Sequence, residues 1–189
     1  MNAIIERCLE QVNEGKRPII FASAPKALRR IRNALEAQGV AVCFIDGTVS
    51  MPKRTKLLDK LRSGEHQVGC LSLGTTNDGV NLPQVTNIMF YDRSSWEARI
   101  ENQAIYRACR PETQHQVEVD YFELPGSLDS YQKMVVDWKR ISAVAGMDYG
   151  EEPPLEENFY HFEHFIREFV ESIPGLKDRL EKYKLGVAA

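Results

Sequence analysis

Short apolar runs alternate with segments of helical periodicity through the first 145 residues, and this alternation constrains the fold more than any other feature. Runs of this kind are typical of strands buried on both faces, which occur in parallel sheets. Strands that alternate with helices predict an α/β fold with helices packed on both faces of the sheet. The predicted strands are residues 18–22, 40–45, 68–73, 86–91 and 117–122.

The segments between these runs carry helix signals. Pro25 suits a first helical turn, Leu28, Ile31 and Leu35 form an apolar stripe, and Gly39 can end the helix. The predicted helices are residues 25–39, 52–63, 97–110 and 127–144. Because ligands bind beyond the carboxyl ends of parallel strands, function is expected in the loops after Phe21, Ile45, Leu73 and Tyr91.

The remainder of the chain differs in composition. Residues 146–158 read as an acidic linker between a domain of residues 1–145 and a C-terminal helical segment of residues 159–189. Apolar residues recur at helical spacing in that last segment, so we expect one of its faces to be buried on the main domain or on a protein partner. These apolar residues are Phe159, Phe162, Ile166, Phe169 and Val170.

Charge is unevenly distributed along the chain. The net charge is −3, but residues 148–189 carry ten acidic and five basic residues, which leaves the first part slightly basic. Basic residues cluster within residues 26–32 and 53–62, where they can follow a phosphate backbone. Charge alone favours the simpler interpretation, in which these clusters are solvated helix faces.

Several classes of site and location are not expected. No apolar run approaches the length of a membrane span, and the first residues lack a signal-peptide pattern. Cys43 and Cys70 lie inside apolar runs and read as core residues of a reducing compartment, which favours the cytoplasm. His161 and His164 have no further ligand at matching spacing, so no metal site is predicted.

The segment from Gln103 to Arg110 is the sharpest chemical signal. Gln103, Arg107 and Arg110 are four and three residues apart, so on a helix they would share one face. The planar guanidinium of arginine can hold phosphate oxygens and stays charged at any working pH. The simpler alternative is a helix with two surface arginines.

Two other segments follow predicted strands. A small polar loop bracketed by Gly74 and Gly79 permits close approach of its backbone to phosphate, although its glycines can also serve turn geometry alone. The segment from Asp46 to Ser50, followed by Arg54, places hydroxyl groups and a basic side chain at the end of another predicted strand. Its alternative interpretation is an ordinary helix cap at Ser50.

The order and spacing of these segments, from about residue 17 to residue 139, resemble the C-terminal lobe of superfamily-two helicases, most closely the Swi/Snf-type ATPases. The resemblance implies a RecA-like three-layer domain with a mostly parallel sheet, plus a C-terminal helical appendage. The matching segments are residues 18–21 (motif IV), 45–54 (DGS/T…R), 72–82 (motif V), Tyr91-Asp92 with Trp96 (YD…W) and 103–110 (motif VI).

The resemblance also implies roles for individual residues. Arg107 and Arg110 would be catalytic arginine fingers that reach the phosphates of a nucleotide held on a partner lobe. Gln103, Gly79 and Asn81 would line the same ATP cleft. The candidates for contacts to the phosphates of one nucleic-acid strand are Ser23, Arg54, Ser72, Thr75 and Thr76.

The chain departs from the family pattern at several positions. Leu73 stands where many relatives have a phosphate-contacting Thr, which puts that contact in doubt and shifts it to Ser72 or Thr75. Tyr106 replaces the usual Gly or Asp, and Cys109 replaces a common His. After Arg110 the family often has I-G-Q, whereas this chain has P-E-T-Q at residues 111–114.

The sequence contains neither a G-x-x-x-x-G-K-[ST] phosphate loop nor a D-E-x-H-like pair for Mg²⁺. We therefore expect ATP and Mg²⁺ to bind only when the chain is paired with a first RecA-like lobe, in the same parent chain or in a separate subunit. The resemblance predicts half of a DNA-dependent ATPase, inactive alone, with DNA favoured over RNA. The alternative is a non-catalytic helicase-like module that binds nucleic acid or protein.

Overall fold

The computed structural model describes the chain in two compact units, Met1–Glu123 and Leu124–Ala189. In the second unit the described positions from 129 to 139 are helical, and Lys133 lies 3.7 Å from Asp137, one helical turn away. Apart from residue 175, the predicted linker and C-terminal helical segment lie outside the described residues, so those boundaries stay predictions. The residues described are 1–75, 81–82, 84–92, 98–110, 113, 115–124, 127, 129–130, 132–133, 135–137, 139 and 175.

The first unit is built on a five-stranded sheet whose strand order is β2-β3-β1-β4-β5. All four strand pairings are parallel, which confirms the α/β prediction. Each predicted strand is present, with ends that differ by no more than two residues. The strands are β1 (Pro18–Ala22), β2 (Val42–Ile45), β3 (Val68–Ser72), β4 (Asn87–Phe90) and β5 (Glu118–Tyr121).

The described residues of the first unit also form four helices and one 3₁₀ turn. Predicted helices are present as α2 (Pro25–Ala37), α3 (Met51–Ser63) and α4 (Ala98–Ile105), and the 3₁₀ turn is Leu73–Thr75. Gly64 ends α3 with a φ of +85°, a conformation that glycine adopts without a steric penalty. None of the helices in the described part of the chain is both long and apolar enough to span a bilayer.

An additional helix, α1 (Asn2–Asn13), was missed by the sequence prediction. Its buried face consists of Ile4, Cys8 and Gln11, and the polar Gln11 weakens the apolar stripe that would reveal a helix. Arg7 connects α1 to the far edge of the sheet, because its Nε donates to Asp120 Oδ2 at 3.2 Å and its guanidinium also donates to Glu118 at 3.3 Å.

The two faces of the sheet carry separate apolar clusters, which confirms the three-layer arrangement. Along β1 the side chains alternate, so that Ile19 and Phe21 pack with Leu58 and Leu61 of α3 and with Ala104 of α4. Side chains on the opposite face pack against α1 and α2. The second cluster includes Ile4, Cys8, Ile20, Ala22, Leu28, Ile31, Leu35 and Met89.

The predicted core cysteines are confirmed as core residues. Cys43 and Cys70 are fully buried in β2 and β3. Burial raises the pKa of the Cys43 thiol to about 12, and it raises the pKa of the Cys70 thiol as well. Both thiols therefore stay protonated and unreactive at neutral pH.

Gly69 lies in β3 where a larger side chain does not fit. A Cβ there would lie 3.1 Å from carbon atoms of Ile19 and Leu71 and 3.2 Å from a carbon of Leu61. We expect Gly69→Ala to lower the free energy of unfolding by about 1–3 kcal/mol through overpacking, as measured by urea denaturation. Gly47→Ala is the control, because no atom lies within 4 Å of its added Cβ. Equal losses in the two variants would contradict the packing argument.

Candidate functional site

The ends of β1 and β4 are joined side by side at the carboxyl edge of the sheet. The Ser23 hydroxyl donates to Asp92 Oδ1 at 2.7 Å, and the Ser23 backbone N–H donates to the same oxygen at 3.0 Å. The Ser23 hydroxyl is thus already a hydrogen-bond donor to a carboxylate within the protein. Asp92 was noted in the sequence only as part of the YD…W stretch, and its role as the acceptor for Ser23 was not predicted.

A second carboxylate organises the loop after β2. Asp46 is only 1% exposed, and its Oδ1 accepts the Thr48 hydroxyl at 2.5 Å and the Thr48 backbone N–H at 3.0 Å. Arg29 of α2 donates to the other oxygen at 2.7 Å. The Thr48 hydroxyl and then the Arg29 guanidinium hold the pKa of Asp46 below its ordinary value, against the opposing effect of burial.

Arg54, a predicted phosphate contact, lies on the inner face of α3. It is 9% exposed and shares that face with Leu58 and Leu61. Ser50 occupies the N-cap position of α3, as the alternative interpretation proposed, although its side chain forms no capping hydrogen bond. The arginine that follows β2 is therefore part of the buried helix face rather than an extended surface side chain.

The loop after β3 begins with a closed turn. The Thr75 hydroxyl donates to the Ser72 carbonyl at 2.7 Å, and both residues are largely buried. Thr76 and Gly79, predicted to contact nucleic acid and the ATP cleft, lie outside the described residues. Asn81 is exposed, and its backbone carbonyl accepts a hydrogen bond from Arg62 Nε of α3 at 3.2 Å.

The prediction that α4 continues to Arg110 was wrong, because the helix ends at Ile105. After Ile105 the backbone hydrogen bonds are mixed. The N–H groups of Tyr106 and Cys109 still bond to carbonyls four residues back, whereas those of Arg107 and Ala108 bond only three residues back, at 3.2 and 3.0 Å. The Arg107 carbonyl accepts the N–H of Leu82 at 2.9 Å, so it does not extend the helical ladder. Pro111 further disfavours helix, since the residue before a proline avoids helical geometry.

The predicted arginines nevertheless come together with the predicted glutamine. Gln103, Tyr106, Arg107 and Arg110 line one pocket of about 260 Å³. Gln103 lies in α4, whereas Tyr106, Arg107 and Arg110 lie in the segment that follows it. Tyr106 is 60% exposed. It was noted in the sequence as a departure from the family, and its place in the pocket was not predicted.

The two arginines affect each other electrostatically. The pKa of Arg107 lies below its ordinary value, first because the guanidinium is partly withdrawn from water and second because the positive charge of Arg110 is near. Arg107 remains a cation at neutral pH, because an arginine guanidinium stays protonated far above that pH. An anion in the pocket would relieve both effects, because it would solvate one guanidinium and screen the repulsion between the two.

The donors of this pocket suit phosphate oxygens. The guanidinium groups and the Gln103 amide all present N–H groups, and the Tyr106 hydroxyl can add another donor. A magnesium ion requires oxygen ligands, and the lining residues contribute no carboxylate. Within the described ranges, no group of three or more His, Cys, Asp or Glu residues is arranged to hold a metal ion.

A parallel α/β sheet with helices on both faces and an arginine pocket connected to the loop after β3 defines a RecA-like lobe of the helicase type. The helicase conserved C-terminal domain matches residues 1–112, and the chain belongs to that family. The resemblance to superfamily-two helicases and Swi/Snf-type ATPases is thereby confirmed.

Two relatives and one solved structure illustrate the similarity. The putative ATP-dependent helicase/translocase YwqA of Bacillus subtilis (strain 168) is 29% identical over 102 residues, which are 54% of this chain and 11% of YwqA. Protein CHROMATIN REMODELING 24 of Arabidopsis thaliana is 28% identical over 100 residues, 52% of this chain and 9% of that protein. The chain thus spans about a tenth of the length of these relatives.

The fold has a solved counterpart in the crystal structure of the C-terminal part of the Fun30 ATPase domain. The two structures superimpose with a TM-score of 0.68 at 16% sequence identity. The match covers 90% of this chain and 54% of the Fun30 chain. At this level of identity the likeness concerns the fold. It confirms the RecA-like prediction.

The Asp46 carboxylate provides a test of the loop after β2. Because the pKa of Asp46 is lowered on folding, its contribution to stability is present above the ordinary pKa of about 4 and is lost as the pH falls through the folded-state value. We expect Asp46→Asn to cost on the order of 2 kcal/mol at pH 7 in urea denaturation, with a smaller difference from wild type at pH 3. Asp59→Asn on the surface of α3 is the control. A pH-independent difference would contradict the assignment.

Proposed function

We propose that this chain is the arginine-supplying second lobe of an ATP-dependent nucleic-acid motor, in which a first lobe holds the nucleotide. The single observation that carries the proposal is the pocket that brings Arg107 and Arg110 together with Gln103. Membership of the helicase C-terminal domain family supports it. Both arginines would act as fingers that enter the nucleotide cleft when the two lobes close.

The chemistry of phosphoryl transfer explains why two guanidinium groups would be used. Negative charge spreads over the oxygens of the transferred phosphoryl group in the transition state, and positioned arginines stabilise that charge. The lowered pKa of Arg107 reflects an electrostatic cost that an incoming phosphate would reverse. Mg²⁺ and the phosphate loop would be contributed by the first lobe, and ATP would reach this pocket only across the cleft.

The hydrogen bond from Leu82 to Arg107 supports a connection between the nucleotide cleft and a nucleic-acid track. Asn81 and Leu82 join α3, through the Arg62 contact, to the turn that carries Arg107. We propose that Asn81 and Gly79 line the cleft. Movement of this segment on nucleic-acid binding would shift Arg107 relative to the nucleotide.

We also propose that nucleic acid runs along the carboxyl edge of the sheet. The Ser23 hydroxyl, the Ser23 backbone N–H and the Thr75 hydroxyl all donate inside the protein, so a phosphate contact at these positions would require exchange of those hydrogen bonds. The same proposal includes Ser72, Thr76 and Arg54, and the Arg54 side chain would have to turn out from the inner face of α3 to reach a phosphate. DNA is favoured over RNA by the resemblance to Swi/Snf-type ATPases.

Substitution of the arginines tests the proposed role. In the assembled two-lobe protein we expect Arg107→Ala and Arg110→Ala each to lower the nucleic-acid-stimulated kcat for ATP by about 10³-fold or more. Arg107→Lys should not restore activity, because a point charge does not reproduce a planar fork. Arg30→Ala, an exposed arginine of α2, is the control. Unchanged kcat in both Ala variants would overturn the proposal and favour a non-catalytic module.

The chain by itself provides a second test. We expect the purified 189-residue chain to release no phosphate from ATP above background, because it has no phosphate loop to position the nucleotide. Mixing with the first lobe encoded in the same genome should produce hydrolysis that duplex DNA stimulates more than duplex RNA. Turnover by the chain alone would contradict the two-lobe site, and stimulation by RNA alone would contradict the preference for DNA.

A further inference from the structure

We infer that Thr113 is a positioning residue that holds Arg110 in the phosphate pocket, an inference that rests on the proposed function. The Thr113 hydroxyl donates to the Ala108 carbonyl at 2.5 Å and accepts the Arg110 backbone N–H at 3.1 Å. The Thr113 backbone N–H donates in turn to the Arg110 carbonyl at 2.9 Å. The N–H and the carbonyl of Arg110 are therefore both hydrogen-bonded to Thr113.

The end of α4 explains why such a residue is required. A helical Arg110 would be held by the i→i−4 ladder, but the helix ends at Ile105, five residues before it. Within the turn, the Arg110 N–H also lies 3.1 Å from the Ala108 carbonyl. The Thr113 hydroxyl supplies hydrogen bonds in place of the missing helical ones, because it bonds both to the Arg110 N–H and to the Ala108 carbonyl.

The hydroxyl also connects an exposed residue to the protein interior. Ala108 is 1% exposed and belongs to the cluster formed with Phe90 and Leu82 on the α3–α4 face of the sheet. Arg110 itself is exposed. Thr113 therefore anchors the backbone of a solvent-exposed arginine to a backbone carbonyl fixed in the core, which lowers the entropic cost of placing the guanidinium on a phosphate.

This arrangement belongs to a segment in which the chain departs from its family. Residues 111–114 read P-E-T-Q where relatives often have I-G-Q after the arginine. A hydroxyl at Thr113 is both a donor and an acceptor, and both functions are used here. The matching conservative change is Thr113→Ser, which keeps the hydroxyl, whereas Thr113→Val removes it at nearly the same volume.

The first measurement is steady-state ATP hydrolysis by the assembled two-lobe protein at saturating nucleic acid. We expect Thr113→Val to lower kcat roughly 3- to 10-fold, because the two hydrogen bonds of the hydroxyl are lost, with KM for ATP changed less than about twofold. Thr113→Ser should retain the wild-type kcat. Thr55→Val is the matched control, because the Thr55 hydroxyl also bonds a backbone carbonyl, at 3.2 Å on α3. A wild-type kcat for Thr113→Val would overturn the inference.

A double-mutant cycle separates positioning from a general structural effect. If Thr113 acts through Arg110, Thr113→Val should have no further effect on kcat in an Arg110→Ala background. The same additional loss in both backgrounds would overturn the inference and leave the proposed function in place. Unchanged hydrolysis in the Arg110→Ala and Arg107→Ala variants would instead overturn the proposed function itself.

Hydrogen exchange of the purified chain gives a test that does not depend on activity or on the folding of the valine variant. The Arg110 amide should exchange slowly in the wild type and in Thr113→Ser, because its N–H is bonded within the turn. Exchange of this amide at the rate of an unstructured peptide in the wild type would overturn the inference.

Discussion

One backbone hydrogen bond, from the Leu82 N–H to the Arg107 carbonyl, determines where the candidate site lies. Leu82 follows the loop after β3, and its side chain is buried in the cluster that also contains Ala104 and Ala108. The bond therefore ties the turn that carries Arg107 to the core on one side of the sheet. Together with the buried side chain of Ala108, it fixes the segment that carries the arginines beside the residues that follow β3.

The carboxylates and the arginines of the site differ in their surroundings. Asp46 and Asp92 each accept hydrogen bonds within the first unit, so the hydroxyl groups that they bind are occupied. Arg107 is partly withdrawn from water beside a second cation, Arg110. The pocket that these arginines line therefore carries positive charge that suits an anion.

The sequence predicted the main elements of the fold because local patterns encode them. Each strand and the helices α2 and α3 follow directly from apolar runs and from the stripe of Leu28, Ile31 and Leu35. The helix α1 was missed because its inner face is completed by Gln11, and Arg7 finds its partners on β5 more than a hundred residues away. The end of α4 was placed too late because the pattern of Gln103, Arg107 and Arg110 fits a helix equally well.

By itself the sequence determined the alternation of strands and helices, the family, and three of the residues around the pocket, Gln103, Arg107 and Arg110. Those properties depend on neighbouring side chains and on spacing within one segment. Only the tertiary structure decided that Ser23 pairs with Asp92, that the Leu82 N–H bonds to the Arg107 carbonyl, and that the Thr113 hydroxyl bonds to the backbone of Arg110. The physical reason is that a backbone or hydroxyl group chooses its partner by proximity in the folded chain, and periodicity carries no information about partners brought close by folding.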